Sequence, residues 1–270
     1  MVLGVPHRPE APQQNHESDS DPSASPLPAV NPSRRADRAQ VERPQAVLFD
    51  FQGTLAQVED PVTWVREAAR TCGVELDRPR ATILADRLVT AGRAGGPAPH
   101  RVPPHLAEAY CDRDLDPRSH RATYTGLAQT VDCGVDGLPE ALYDRLLSPG
   151  GWVTYPHTVP TLKALRAAGI PVAVVSNIGF DIRPITAHLG FADLVTEFVL
   201  SYEVGRCKPD AAIFEYACGR LRVDPERTLM VGDTPADAGA VVAGCRVLII
   251  PAQPPATANG IAAVLDLAGL

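Results

Sequence analysis

Five short apolar runs constrain the fold more than any other feature of this chain. They lie at Gln45 to Phe51, Ile170 to Val175, Leu194 to Leu200, Thr228 to Val231 and Arg246 to Ile250. A run without polar alternation suits a strand covered on both faces, where no side chain meets water. Helical patterns separate the later runs: Thr158 to Ala168, Ile182 to Leu189, Ala211 to Leu221, Ala236 to Ala243 and Ala256 to Leu267. Gly169 and Gly190 stop the first two of them. Such alternation predicts an α/β fold, a mostly parallel sheet with helices on both faces.

The stretch from about 57 to 150 breaks this rhythm. Asp60-Pro61 reads as a cap followed by proline at the first helical position, and that helix stops before Gly73. Further helical patterns run from Arg80 to Thr90, Leu106 to Cys111, Pro117 to Val131 and Pro139 to Leu147, with a loop at Gly95 to Pro99. No strand signal interrupts them. The expected organisation is therefore a core of 44–56 and 151–270 with a helical insertion at 57–150. Residues 1–43 are rich in Pro, Ser, Gln, Asp and Arg, and read as a disordered tail that cannot offset its ordering entropy.

In an open parallel sheet, ligands bind at the carboxyl ends of the strands. Those ends carry Asp50, then Ser176-Asn177, then Lys208, then Gly232-Asp233 with Asp237 beyond. The chain has only two lysines, Lys163 and Lys208, among 25 basic residues, so a lysine retained at such a place stands out. Asp50 and Asp233 offer hard oxygen donors that suit Mg²⁺. Ser176 and Lys208 can hold an anion, helped by backbone N–H groups after Asp50. A carboxylate beside a metal and an anion cradle suits phosphoryl transfer to Asp.

These segments together resemble the haloacid dehalogenase superfamily. Leu48-Phe-Asp-Phe-Gln-Gly-Thr-Leu55 is similar to its first motif and Val174-Val-Ser-Asn177 to its second. Lys208-Pro209-Asp210 with Ile213-Phe214 is similar to the third, and Val231-Gly-Asp-Thr-Pro-Ala-Asp237 to the fourth. The likeness covers residues 45 to 270. It implies a Rossmann-like three-layer core, an inserted helical cap, and a Mg²⁺-dependent hydrolase of a small phosphorylated metabolite. Asp50 would be the nucleophile that forms an aspartyl-phosphate. Ser176, Asn177, Lys208, Gly53 and Thr54 would bind the transferring group. Asp50, the carbonyl of Gln52, Asp233 and Asp237 would hold Mg²⁺ or orient its shell.

The sequence departs from that family at Gln52, where its phosphatases carry a second Asp as general acid and base. An amide neither gives nor takes a proton in this pH range. Four outcomes follow: substrates with good leaving groups, a substitute such as Glu59 or a histidine of the insertion, transfer to an acceptor other than water, or binding of a phosphorylated ligand without turnover. A metal-independent 2-haloacid dehalogenase ranks third, behind the phosphatase and the binding or transfer readings.

Other features narrow the partners. A net charge of −7 with no basic block disfavours nucleic acid and anionic membranes. No apolar run is long enough to span a bilayer, and the first residues lack a secretory pattern, so a cytoplasmic location is expected. The oligomeric state is unreadable. The six cysteines form no Cys-x-x-Cys and are expected to be reduced and mostly buried. His100 and His105 read as loop residues, Trp64 as packing, and Arg183 as structural.

Overall fold

The computed structural model describes residues 42–270, so the expectation for residues 1–41 lies outside the described residues. Seven strands form: β1 Ala46–Phe49, β2 Ala56–Val58, β3 Trp152–Thr154, β4 Val172–Ser176, β5 Glu197–Leu200, β6 Thr228–Gly232 and β7 Arg246–Ile249. Five of them make a sheet in the order β5-β4-β1-β6-β7, with every pairing parallel. β1 is central and wholly buried, as its unbroken Ala-Val-Leu-Phe requires. The run at Ile170 yields a strand only from Val172. Pro171 has no N–H to offer, and its carbonyl accepts from Val47.

Helices flank this sheet: α6 Thr158–Ala167, α7 Arg183–His188, α8 Ser201–Val204, α9 Ala211–Leu221, α10 Pro235–Ala238 and α11 Ala263–Leu267. They follow α1 Pro61–Thr71, α2 Arg78–Ala91, α3 Ala107–Asp112, α4 Pro117–Gln129 and α5 Leu138–Leu147. Proline at the first turn and an aspartate cap recur in α1, α2 and α4, where Asp60, Asp77 and Asp116 accept from backbone N–H groups.

One apolar cluster beneath the sheet joins Val47, Phe49, Val174 and Val231 to Leu162 and Ile185. Another, on the other face, joins Leu48, Val175 and Met230 to Ile213 and Phe214. A third lies wholly within α1 to α5 and their loops, built on Trp64, Val65, Leu84, Leu88, Leu138 and Leu142. Trp64 is packing, as expected: its indole N–H donates to the Leu142 carbonyl at 3.0 Å, and Arg93 covers its ring.

Four expectations need correction. The helix read at Ala256 to Leu267 begins only at Ala263, because Gly260 takes a positive φ and Asn259 turns its amide into the core. The helix read at Ala236 to Ala243 is α10 followed by a 3₁₀ turn at Gly239–Val241. The segment read as strand-free opens on β2, which pairs antiparallel with β3 just past its end, with Ala56, Gln57 and Val58 opposite Thr154, Val153 and Trp152. Three residues per strand leave almost no periodicity to detect. All six cysteines are free, but only Cys218 and Cys245 are buried, and Cys111 is exposed.

Candidate active site

Parallel order brings the polar strand ends together. Asp50 follows β1, Ser176 ends β4, Lys208 lies in the loop after α8, and Asp233 follows β6. The Lys208 ammonium donates to Asp50 Oδ1 and Asp237 Oδ1, both at 2.6 Å. All three residues are buried. Asp50, Asp233 and Asp237 each present an oxygen within 4.8 Å of the others.

The backbone around this cluster is tightly held. The left-handed φ of Gly53 turns the chain back, and a Cβ there would overlap the Asp233 carboxylate. Asn259 donates to the carbonyls of Thr54 and Gly53, and Thr158 donates to that of Leu55. The Asn177 amide donates to the Lys208 carbonyl at 2.9 Å and accepts from the Lys208 N–H at 2.7 Å, locking the lysine loop to the end of β4. Asp237 Oδ2 accepts from the N–H groups of Asp233 and Thr234 and from the Thr234 hydroxyl. Both Asp237 oxygens are thereby engaged.

Electrostatics follow from three carboxylates around one ammonium. Burial raises the pKa of Asp50 against the pull of Lys208, and Asp237 adds to the rise. Burial, then the charges of Asp50 and Asp237, push Asp233 up to about 7. Burial works against the Lys208 ammonium, but Asp50 and Asp237 outweigh it and raise its pKa.

A cleft of about 490 Å³ opens above this cluster. Asp50, Gln52, Gly53, Ser176, Asn177, Lys208 and Asp233 line its floor. Thr54 stands behind the floor, its hydroxyl 3.4 Å from Asp233. Asp237 is fully enclosed beneath Lys208. The opposite wall comes from the helical segment: Gly95, Arg113, Asp114, His120 and Tyr124. The Gln52 amide donates to Gln57 at 3.3 Å and rests against Gly95, where any Cβ would overlap it. A larger hollow of about 640 Å³, lined by Asp86, Arg87, His100 and Arg101, lies on the helical segment and shares no residue with this cluster.

Of the proposed substitutes for the missing acid, Glu59 is buried in a bidentate ion pair with Arg145 at 2.6 and 2.8 Å and does not line the cleft. His100 and His105 do not line it either. Arg183 pairs with Glu203 at 2.7 and 2.9 Å, the structural role expected of it.

His120 does line the cleft, but burial, then the charge of Arg113, lower its pKa to about 3. Its Nδ1 lies 2.8 Å from the Tyr143 hydroxyl. A neutral buried imidazole is protonated first in the unfolded chain, so stability is full above about pH 6.5 and declines as pH falls toward 3. Urea melts between pH 7.5 and 4 are expected to show one extra proton taken up on unfolding, absent in His120→Gln. The accumulated loss is about 3 kcal/mol by the foot of that window. Equal slopes for the two proteins would refute the assignment.

The wall residues missed from sequence, Arg113, Asp114 and Tyr124, share one property. They face the strand ends only because of how the helical segment docks, which no local spacing reports. Asn259 was hidden by a pattern read as helix.

Comparisons with known proteins agree with this geometry. A family model described as haloacid dehalogenase-like hydrolase matches residues 44–244. Haloacid dehalogenase-like hydrolase domain-containing protein 3 of Danio rerio is 31% identical over 197 residues, covering 69% of this chain and 76% of that protein. A phosphoglycolate phosphatase of Haemophilus influenzae (strain 86-028NP) is 33% identical over 96 residues, covering 35% of this chain and 43% of that protein, so the match spans less than half its length. A solved dehalogenase with its intermediate complex shares the fold at a TM-score of 0.57 and 21% identity, over 83% of this chain and 97% of that one. With its strand-end carboxylates, its buried lysine and a family match over most of its length, the chain belongs to the haloacid dehalogenase-like hydrolases.

Proposed function

We propose that the protein is a Mg²⁺-dependent hydrolase of a small phosphate ester, with Asp50 as nucleophile and Gln52 in the place of the usual acid. The observation that carries this reading is the contact of Lys208 with both Asp50 and Asp237 beside Asp233, at the floor of a cleft. Phosphatases among the relatives support the substrate class, which is assigned here as a small phosphorylated metabolite.

The donor set fits Mg²⁺. Hard oxygens crowd together with more negative charge than one ammonium balances, and burial together with those charges pushes Asp233 toward neutrality. Asp50, Asp233 and the Gln52 carbonyl would hold the ion, with Asp237 orienting the set through its hydrogen bonds to Asp233 and Thr234. When bound, the ion supplies positive charge that draws phosphate oxygens toward the nucleophile.

The remaining chemistry belongs to the chain. An Asp50 oxygen attacks phosphorus as the ester oxygen leaves. Lys208 neutralises charge on the transferring group and favours the ionised form of Asp50 against its burial. Ser176 and the N–H groups after Asp50 hold the phosphate oxygens. The helical segment acts as a cap that limits the cleft to small substrates.

Gln52 supplies no proton, so the enzyme should act best where the leaving oxygen needs none. Phosphate release from an aryl phosphate is expected to require Mg²⁺ and to exceed release from a sugar phosphate. Where no other side chain supplies that proton, Gln52→Asp is expected to raise the sugar phosphate rate by about 10²-fold. Aryl phosphate turnover indifferent to a chelator would overturn the metal-dependent reading, and halide release from a 2-haloacid that a chelator leaves unchanged would favour dehalogenation. Absence of turnover on both esters, with an active Gln52→Asp, would favour binding or transfer.

A further inference from the structure

We propose that Asp114, from the loop between α3 and α4, gives the proton to the leaving oxygen and later takes one from water, in the role that Gln52 cannot fill. The inference rests on the hydrolase reading above and goes beyond it, because the helical segment then completes the chemistry as well as covering the cleft.

Position comes first. Asp114 is the only carboxylate that the helical segment sends to the cleft holding Asp50 and Lys208, among the described residues. Its backbone is tied to the core: the Ser201 hydroxyl donates to its carbonyl, and the Ser201 hydroxyl oxygen in turn accepts from the Ile178 N–H after β4. Gly179 lets this loop approach so closely that a Cβ there would overlap the Arg113 carbonyl and His120. Asp114 therefore lines the cleft from a fixed mount rather than a free loop.

Elimination comes second. Of the other groups around the cleft, Lys208 is committed to two carboxylates, and Arg113 keeps its proton. His120 is neutral, and burial pushes the Tyr124 phenol up to about 12, so it cannot act as a base near neutrality. Asp114 is faced by Arg113 at 3.5 Å, with Lys208, Tyr110, Tyr124 and Cys207 nearby on the packed elements. Burial raises its pKa despite the pull of Arg113 and Lys208, which favours the protonated form that a general acid needs.

The step balances. As Asp50 bonds to phosphorus and the ester P–O bond breaks, the Asp114 proton passes to the departing alkoxide. The Asp114 carboxylate then removes a proton from water as that water attacks the aspartyl-phosphate. Phosphate, free Asp50 and protonated Asp114 result.

The test compares wild type, Asp114→Asn, and Asp114→Asn with Gln52→Asp on one aryl and one alkyl phosphate. Asp114→Asn is expected to lose about 10² to 10⁴ on the alkyl ester and less than about 10-fold on the aryl ester. The double variant should recover most of the alkyl rate. In wild type, alkyl turnover should fall with rising pH through the raised Asp114 pKa, and that limb should vanish in Asp114→Asn. The aryl rate reports folding within the same preparation. Equal losses on both esters, no loss on either, or a wild type that hydrolyses only the aryl ester would overturn the role of Asp114 and leave the hydrolase reading intact. A wild type silent on both esters would overturn the two together.

Discussion

Asp50→Asn is expected to lower phosphate release from an aryl phosphate by about 10⁴-fold or more, to background, while leaving the protein folded and as stable as wild type. An amide has the shape of the carboxylate but is a poor nucleophile toward phosphorus, and a good leaving group cannot compensate for that. The stability half of the expectation comes from the charges. Asp50 is buried beside two other carboxylates with one ammonium among them, and burial already works against its charged form. An uncharged side chain relieves repulsion with Asp237 and forgoes one charge-assisted contact with Lys208, so the two effects offset. Thermal melts beside phosphate assays check both halves. Activity within about 10-fold of wild type would remove Asp50 from the role of nucleophile.

The second large effect is on stability. Lys208→Met is expected to cost about 3–5 kcal/mol, because it leaves buried carboxylates without their counter-charge. Lys208 is 5% exposed and touches Asp50 and Asp237 at 2.6 Å. Methionine fills the stem's volume, so the loss is of charge rather than packing. Without the ammonium, the carboxylates resist ionisation in the folded state. The variant should then weaken further as pH rises, the opposite of the acid sensitivity assigned to His120. Mg²⁺ should restore more stability to this variant than to wild type, since it brings positive charge to the same oxygens. Urea melts at two pH values, with and without Mg²⁺, decide the matter. A penalty under about 1 kcal/mol would mean that water reaches and screens the cluster.

The floor of the site was legible because parallel topology alone brings strand ends together. Once the runs at β1, β4 and β6 are recognised, Asp50, Ser176 and Asp233 must be neighbours, whatever the helices do. Lys208 was legible through its motif, although the lock that Asn177 places on its backbone was not. The wall was illegible for a physical reason. Arg113 and Asp114 lie between two short helices, where no period exists, and their facing depends on Ser201 and Gly179 in a distant part of the chain. Glu59 shows the converse error. An acid close in sequence to the nucleophile looks available, yet its partner Arg145 lies 86 residues away and holds it elsewhere.

The ribbon of β2 and β3 bears on how such a protein can change over generations. Its two strands pair residue for residue, Ala56 with Thr154 and Val58 with Trp152. The chain therefore leaves the sheet and returns to it within one strand spacing, about 4.8 Å. The length of whatever lies between those points is little constrained at its ends, since lengthening a loop costs little closure entropy. Replacement or resizing of the intervening stretch leaves β1, β4, β5, β6 and β7 in register. A lineage could thus acquire a new substrate by exchanging one cassette, while its reactive floor was inherited without alteration.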